Sequence, residues 1–406
     1  MIFRILPILF LAITPMLYDV TTILRSAIIA IAPLIVYLIK PFSFRKYKYI
    51  SLIFLALILI YAMSWQVNNQ SWVSFLFGSY GRGDGVLSLV GLFLIFILSI
   101  EEVVSSKKVL EKSLHTVMIF TLIYGVAQAF NIDPVNWAKD YIGGGLTLGN
   151  PNFASALFGI LSGLPLANAF LNKGLKRYIN IIYFFLFGLL ILKSFSSQGV
   201  LFYIITVCFL SMFKIKEIKI SKKLVISLLS FLTLFTTVSI MLLLKNIKLS
   251  GLLKSINNNL HISDRINHWK LAVRIWNDHI WFGVGISDMQ KYSGMYLTEG
   301  DVKIWGNYLH PDKAHNVLLD HLVNGGIFVF ILYLSFIIFV SFISINLIKL
   351  RNKSKDQWQY VVLTSMWINY VIQSLISPSH PFLDALGMIC GGAILGFYQF
   401  EKVVKK

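Results

Sequence analysis

Histidine is concentrated in one polar stretch of this chain. Six of the eight histidines lie within or directly after residues 245–320, the longest polar segment of an otherwise apolar sequence: His261, His268, His279, His310, His315 and His321. Histidine takes up and releases a proton near neutral pH more readily than any other side chain. The crowding indicates acid–base chemistry, and we interpret residues 245–320 as a catalytic loop.

His315 is the histidine best placed to act as a general base. It stands with Asn316 directly before the apolar run that begins near Val317. At such a border water is scarce, and the pKa of a histidine can be tuned for proton abstraction. The alternative is a histidine that only caps or anchors the helix that follows. Asn316 and His310 are assigned supporting roles. Asp384 lies in the last predicted turn on the outer side and is assigned only a weak supporting role.

A metal site is not predicted. His310 and His315 are five residues apart, which does not match the HExxH helix of zinc hydrolases. Cys208 and Cys390 both fall within predicted membrane helices, where they suit packing better than a disulfide or a metal site. The predicted chemistry therefore depends on side chains alone, with no cofactor.

Two arginines lie on an amphipathic helix predicted from Asp264 to about Asn277. Arg265 and Arg274 are nine residues apart, about 180° of helical rotation, so they cannot face one ligand. Arg265 stands at the start of the helix, whose N-terminus adds a positive field for an anion. Arg265 is therefore the favoured phosphate ligand, and Arg274 is a lesser candidate.

Three further positions offer anion-binding groups. Arg82 lies between glycines in GSYGRGDG, where its planar fork suits phosphate, but a flexible turn with an arginine reaching to lipid headgroups is equally compatible. Lys193, in KSFSSQG, lies on the outer side, where basic residues are otherwise few. Its position favours either phosphate binding or contact with lipid headgroups. Asn150 or Asn152, on either side of Pro151, is predicted to cap a helix whose free amides could also hold an anion.

The composition is that of an integral membrane protein. Of the 406 residues, 57% are hydrophobic and 13% are charged. Apolar runs of about 17–25 residues predict helices rather than the short strands of a barrel. The predicted fold class is therefore all-α, a polytopic protein that forms a single membrane domain over residues 1–406. The predicted spans, about twelve, are 2–18, 22–39, 49–65, 85–100, 114–130, 152–171, 178–193, 199–213, 224–244, 319–348, 358–376 and 382–400.

The distribution of Lys and Arg predicts the orientation of these spans. Most of the 36 basic residues fall in alternate short loops and near the two termini. Cytoplasmic loops carry such an excess, so both termini are predicted in the cytoplasm and the loop 245–320 on the outer side. This pattern, rather than nucleic-acid binding, accounts for the net charge of +18.

Five segments together resemble the O-antigen ligase and polymerase superfamily of bacterial membrane glycosyltransferases. The likeness extends from residue 78 to 400, and the segments are GSYGRGDG, LGNPNF, DRINHWKLAVRIWNDHIWFGVG, AHNVLLDHLVNGGIF and YVIQSLISP. The resemblance implies a helical, GT-C-like fold in the bacterial inner membrane with a large periplasmic loop. It also implies metal-independent transfer of glycans from undecaprenyl diphosphate.

The resemblance also implies roles for individual residues. The family has an arginine at the start of the loop helix, which Arg265 matches, and a histidine before the next membrane helix, which His315 matches. Many members have an arginine after serine at the outer end of a middle helix. Here Gln198 stands at that position, so Lys193 or Arg82 is expected to replace the missing phosphate ligand.

Direct attack on the lipid-linked sugar would invert its anomeric centre. We expect a polymerase that adds the growing glycan to another lipid-linked repeat unit. Open alternatives are a ligase that transfers the finished glycan to lipid A–core, a protein O-oligosaccharyltransferase and, from another class, a non-enzymatic flippase. The expected partners are an undecaprenyl-diphosphate-linked oligosaccharide, an acceptor glycan or glycolipid, membrane lipid and a chain-length regulator, but no nucleic acid.

Overall fold

The computed structural model describes residues 1–14, 22–42, 44–135, 145–194, 196–217, 262–305, 311–350 and 357–404. Within these ranges the regular structure is helical, which confirms the all-α prediction. In chain order the α-helices are α1 (Ile5–Leu11), α2 (Ile23–Ile39), α3 (Lys48–Val67), α4 (Trp72–Phe77), α5 (Val86–Glu102), α6 (Lys107–Ala129), α7 (Pro151–Leu161), α8 (Gly163–Leu171), α9 (Gly174–Lys193), α10 (Ser197–Glu217), α11 (Ile262–Asp278), α12 (Met289–Ser293), α13 (Glu299–Trp305), α14 (Val317–Leu350), α15 (Gln357–Ile376) and α16 (Pro381–Val404).

Several helices have the length and composition of membrane spans, as the apolar runs predicted. Among the described residues the long apolar segments are Phe44–Val67, Lys107–Ala129, Pro151–Leu171, Gly174–Lys193, Val317–Lys349 and Pro381–Val404. Shorter apolar helices cover Ile2–Leu11, Ile23–Ile39 and Ser197–Phe213. The described helices support a multi-pass membrane protein, while the number of twelve spans stays a prediction. The predicted span 224–244 lies outside the described residues.

One of the predicted spans differs from the observed helix. The first was predicted over 2–18, but α1 ends at Leu11 and Ala12 is already extended. The predicted span 152–171 corresponds to Pro151–Leu171, in which α7 and α8 meet at Ser162 with the backbone still helical.

The chain forms two compact units, which are described separately. The first contains Met1–Val117, Val135–Tyr141 and Arg265–Lys406, and the second contains Met118–Pro134 and Ile142–Asp264. In the first unit α16 packs along α5 through small residues. A Cβ built on Gly396 would lie 2.6 Å from the carbonyl oxygen of Ile100, closer than a side chain tolerates. Glycine thus allows these two helices to approach closely.

A break in α14 holds the segment after α11 in place. Gly326 has φ 74°, so the helix is interrupted there and backbone groups become available for other partners. The amide of Val284 donates to the carbonyl of Val323 at 2.9 Å, and the amide of Gly285 donates to that of Asn324 at 3.0 Å. Gly326 supplies the positive φ at low cost. The segment after α11 is therefore hydrogen-bonded to the first turns of α14.

An apolar cluster packs α11 against the loop before α14. Its buried members on α11 are Leu271, Ala272 and Ile275, and these pack with Val284, Met289, Ala314 and Val323. The sequence pattern predicted a helix here but a different apolar stripe, formed by Ile266, Trp269, Val273 and Trp276; of these, Ile266 and Val273 are exposed. Burial of Leu271, Ala272 and Ile275 places the helix that carries Arg265 beside the loop that carries His315.

The second unit contains α7 to α10. Asn150 caps α7, its side-chain oxygen accepting a hydrogen bond from the amide of Asn152 at 2.8 Å, and Pro151 is the first helical residue. This confirms the predicted cap and agrees with the preference of proline for the first turn. Ser196 donates to the side chain of Asn152 at 2.8 Å, which ties the start of α10 to that of α7.

Candidate active site

His315 lies at the junction between the loop and α14 in an unusual backbone conformation. Its φ is 57°, in the left-handed region that non-glycine residues rarely adopt. The cap of α14 is Asn316, whose side-chain oxygen accepts from the amides of Leu318 at 3.0 Å and Leu319 at 3.3 Å. Asn316 therefore has the capping role that was the alternative for His315. Backbone strain of this kind is commonly found at functional sites.

The imidazole of His315 is half-buried between two neighbours. Its Nδ1 lies 3.3 Å from the carbonyl oxygen of Lys313, and its ring packs on that of His268 with 4.6 Å between ring centroids. Burial, and after it the neighbouring His268, lower the pKa of His315 to about 4. The ring is therefore neutral at pH 7. Because a carbonyl only accepts, Nδ1 carries the proton in this bond and Nε2 is left able to accept one.

Two ion pairs fasten the loop before His315 to the GSYGRGDG turn. The guanidinium of Arg82 donates to both carboxylate oxygens of Asp312, at 2.6 Å and 3.1 Å. The ammonium of Lys313 is paired with Asp84. Lys313 is buried, and its neighbour Ala314 donates its amide to Asp320 Oδ1 at 2.7 Å. These contacts fix the chain on the N-terminal side of His315.

The charges of these pairs stabilise each other. Burial alone would raise the pKa of Asp84, but the ammonium of Lys313, the hydroxyl of Ser287 and the guanidinium of Arg82 together hold that pKa below its usual range. Burial would also raise the pKa of Asp312, but Arg82, with Lys313 and His315, lowers it. Arg82 was predicted to be a flexible residue or a phosphate ligand, and its fork is in fact engaged by Asp312.

Arg265 and Arg274 both lie on α11. Arg265 is three residues before His268, whose ring contacts that of His315. Residues three apart on a helix are surface neighbours, so we expect the Arg265 side chain on the His268 side of α11. Arg274 pairs with Asp301 and donates to the carbonyl of Tyr296 at 3.2 Å. These contacts tie α11 to the segment that follows it and occupy the Arg274 side chain.

Three other predicted site residues belong to the second unit, which is described by itself. Lys193 is exposed at the end of α9, Gln198 is buried in the first turn of α10, and Asn150 caps α7. Their roles in binding stay predictions. His310 lies outside the described residues.

The first unit also contains a partly open cavity of about 100 Å³ that the sequence did not predict. Asp320 and His321 lie in the first turns of α14, Asp384 lies in the first turn of α16, and Asp84 and Lys313 complete the charged part of the wall. The clue in the sequence was DH interrupting the apolar run of VLLDHLV. Ionisable residues within such runs commonly have a functional role.

Residues 182–334 match the model of the O-antigen ligase family. The matched region contains α11, both histidines of the ring pair, Asp312, Lys313 and the first turns of α14. No curated protein matches the chain. The match confirms the resemblance over residues 182–334, which include two of the five segments that carried it, DRINHWKLAVRIWNDHIWFGVG and AHNVLLDHLVNGGIF.

Proposed function

We propose that this chain, whose residues 182–334 carry an O-antigen ligase domain, is a polymerase that transfers a glycan from undecaprenyl diphosphate to a hydroxyl of another lipid-linked repeat unit. The domain supports a membrane glycosyltransferase of surface polysaccharide assembly, acting on lipid-linked glycans. The choice of the acceptor and the mechanism below are our proposal.

The observation that carries the proposal is the environment of His315. A sugar hydroxyl is a poor nucleophile until a base removes its proton during attack. The imidazole of His315 is neutral at pH 7 and its Nε2 can accept that proton. Its backbone is held by the Lys313–Asp84 pair on one side and by the Asn316 cap on the other. A base fixed in this way is ready to act without reorganisation.

The leaving diphosphate requires positive charge beside the base. Arg265 supplies a guanidinium near the start of α11, one turn from His268, and we assign it the direct contact with the diphosphate. Arg82 is the second ligand in our proposal. It would exchange Asp312 for a phosphate oxygen when the substrate binds. Lys193 and Arg274 remain lesser candidates, and the attack inverts the anomeric centre without a metal ion.

Glycan analysis in cells tests the polymerase assignment. Cells lacking the chain should accumulate single repeat units on undecaprenyl diphosphate, because the step that joins the units is missing. Mass analysis of the lipid-linked glycan measures this directly. If long lipid-linked chains accumulate instead, the chain is a ligase and our choice of acceptor is wrong.

The same material tests whether the chain is an enzyme. Purified full-length protein in detergent should lengthen the lipid-linked repeat unit extracted from those cells. A flippase moves its substrate across the membrane without changing its mass. Recovery of the unit at unchanged mass, from protein that is folded and binds it, would contradict transferase activity.

A further inference from the structure

The charged side chains that line the cavity in the first unit would repel a diphosphate. Its wall carries three carboxylates, from Asp84, Asp320 and Asp384, but only one ammonium, from Lys313. Lys313 is already paired with Asp84. Like charges in a water-poor site repel strongly, so an anionic group is disfavoured there. The cavity instead suits a neutral ligand rich in hydrogen-bond donors.

Asp320 has a carboxylate oxygen that such a donor could bind. The residue is 7% exposed, and its Oδ1 accepts from the amide of Ala314 at 2.7 Å. Its Oδ2 is buried and has no hydrogen-bond partner among the described residues. An unsatisfied buried acceptor is costly, and native proteins usually pair such groups with protein, water or a ligand. A hydroxyl donated to Asp320 would remove that cost.

Aromatic side chains complete the wall. Tyr61, Tyr333 and Tyr370 all line the cavity. The hydroxyl of Tyr61 lies 2.6 Å from His321 Nδ1, and that of Tyr370 donates to Asp384 at 3.2 Å. The tyrosines therefore present apolar ring surface beside fixed polar groups. That combination fits a sugar ring, which has apolar C–H faces and a rim of hydroxyls.

We infer that this cavity binds the terminal sugar of the acceptor, with its hydroxyls donating to Asp320 and Asp384, and that the diphosphate binds apart from it at Arg265. This inference rests on the proposed transferase function. The cavity is about 100 Å³, so it has room for the hydroxyl-bearing edge of one sugar rather than for a longer glycan. Lys313 and Val317, which line it, are each two residues from His315 in the chain. In our proposal the rest of the sugar extends from the cavity towards the proposed base.

Binding of two separate probes tests whether the acceptor sugar and the diphosphate bind at different sites. The first probe is the repeat-unit oligosaccharide released from its lipid by mild acid, which lacks phosphate, and the second is inorganic diphosphate. With purified full-length protein in detergent, Asp320→Asn should weaken oligosaccharide binding roughly tenfold, the ratio expected when a charged hydrogen bond is lost. Its affinity for diphosphate should stay within about twofold of wild type. Arg265→Lys should show the reverse pattern, because lysine lacks the planar fork.

Matched variants separate binding from folding. Asp320→Asn keeps a side-chain oxygen that can accept from the Ala314 amide. If this variant nevertheless unfolds, Asp384→Asn tests the second carboxylate, which lies on a different helix. Asp278→Asn makes the same change at an exposed position that accepts from Tyr296, and should alter neither affinity. Wild-type oligosaccharide affinity in folded Asp320→Asn and Asp384→Asn, or no oligosaccharide binding by the wild type, would overturn the inference. Failure of the proposed function would appear separately, as absence of transfer by the wild type.

Discussion

Replacing His315 with alanine is expected to lower turnover roughly 10²- to 10⁴-fold, the range that general-base catalysis contributes. Binding of the oligosaccharide and of diphosphate should change little, because neither ligand needs the imidazole as a partner in our account. The measurement is single-turnover transfer between lipid-linked repeat units by purified protein. Full turnover by the alanine variant would show that another group takes the proton.

The strained backbone at this position calls for a second variant. The φ of 57° is unfavourable for alanine, whereas asparagine adopts the left-handed region more readily. His315→Asn therefore preserves the loop but supplies no base, and should lose as much turnover as the alanine variant. His279→Ala is the matched control, since the ring of His279 packs on Tyr292. Recovery of turnover in His315→Asn would indicate that the backbone, rather than the imidazole, was responsible.

Replacing Lys313 with methionine should destabilise the protein by about 3–5 kcal/mol, as expected when one partner of a buried ion pair is removed. Methionine preserves much of the side-chain volume, so the main change is that Asp84 loses its counter-charge. Asp84 still accepts a hydrogen bond from Ser287. Thermal unfolding in detergent, followed through buried tryptophan fluorescence, measures the effect.

A double substitution shows whether the unpaired carboxylate of Asp84 causes the loss of stability in Lys313→Met. Lys313→Met combined with Asp84→Asn leaves no unpaired charge and should recover part of the lost stability. Lys46→Met removes a lysine from a pair with Glu101, which lies 3.0 Å away at the surface, and should cost below about 1 kcal/mol. If the double variant is no more stable than Lys313→Met alone, the pair is not what stabilises this loop.

Local patterns in the sequence predicted what depends on local physics. The apolar run that begins near Val317 corresponds to α14, and the intervals of apolar residues after Asp264 correspond to α11. The cap at Asn150 followed from the short-range chemistry of asparagine and proline. The placement of His315 at a helix start depended on the same kind of signal.

Contacts between distant residues could not be predicted in this way. The Arg82–Asp312 pair joins positions 230 apart in sequence, and no spacing rule connects them. Asp320 was missed for a different reason: it lies in an apolar run, and the length criterion for a membrane span ignores an isolated charge.

The pH dependence of transfer is the most direct test of the claim that His315 is a buried, neutral base. Protonation inactivates a base, so the part of kcat/KM that His315→Asn abolishes should fall as pH approaches the His315 pKa of about 4. His315→Asn should have low residual activity without that fall. Loss of this part already near pH 6.5, the value of an ordinary solvent-exposed histidine, or the same fall in His315→Asn, would contradict the account.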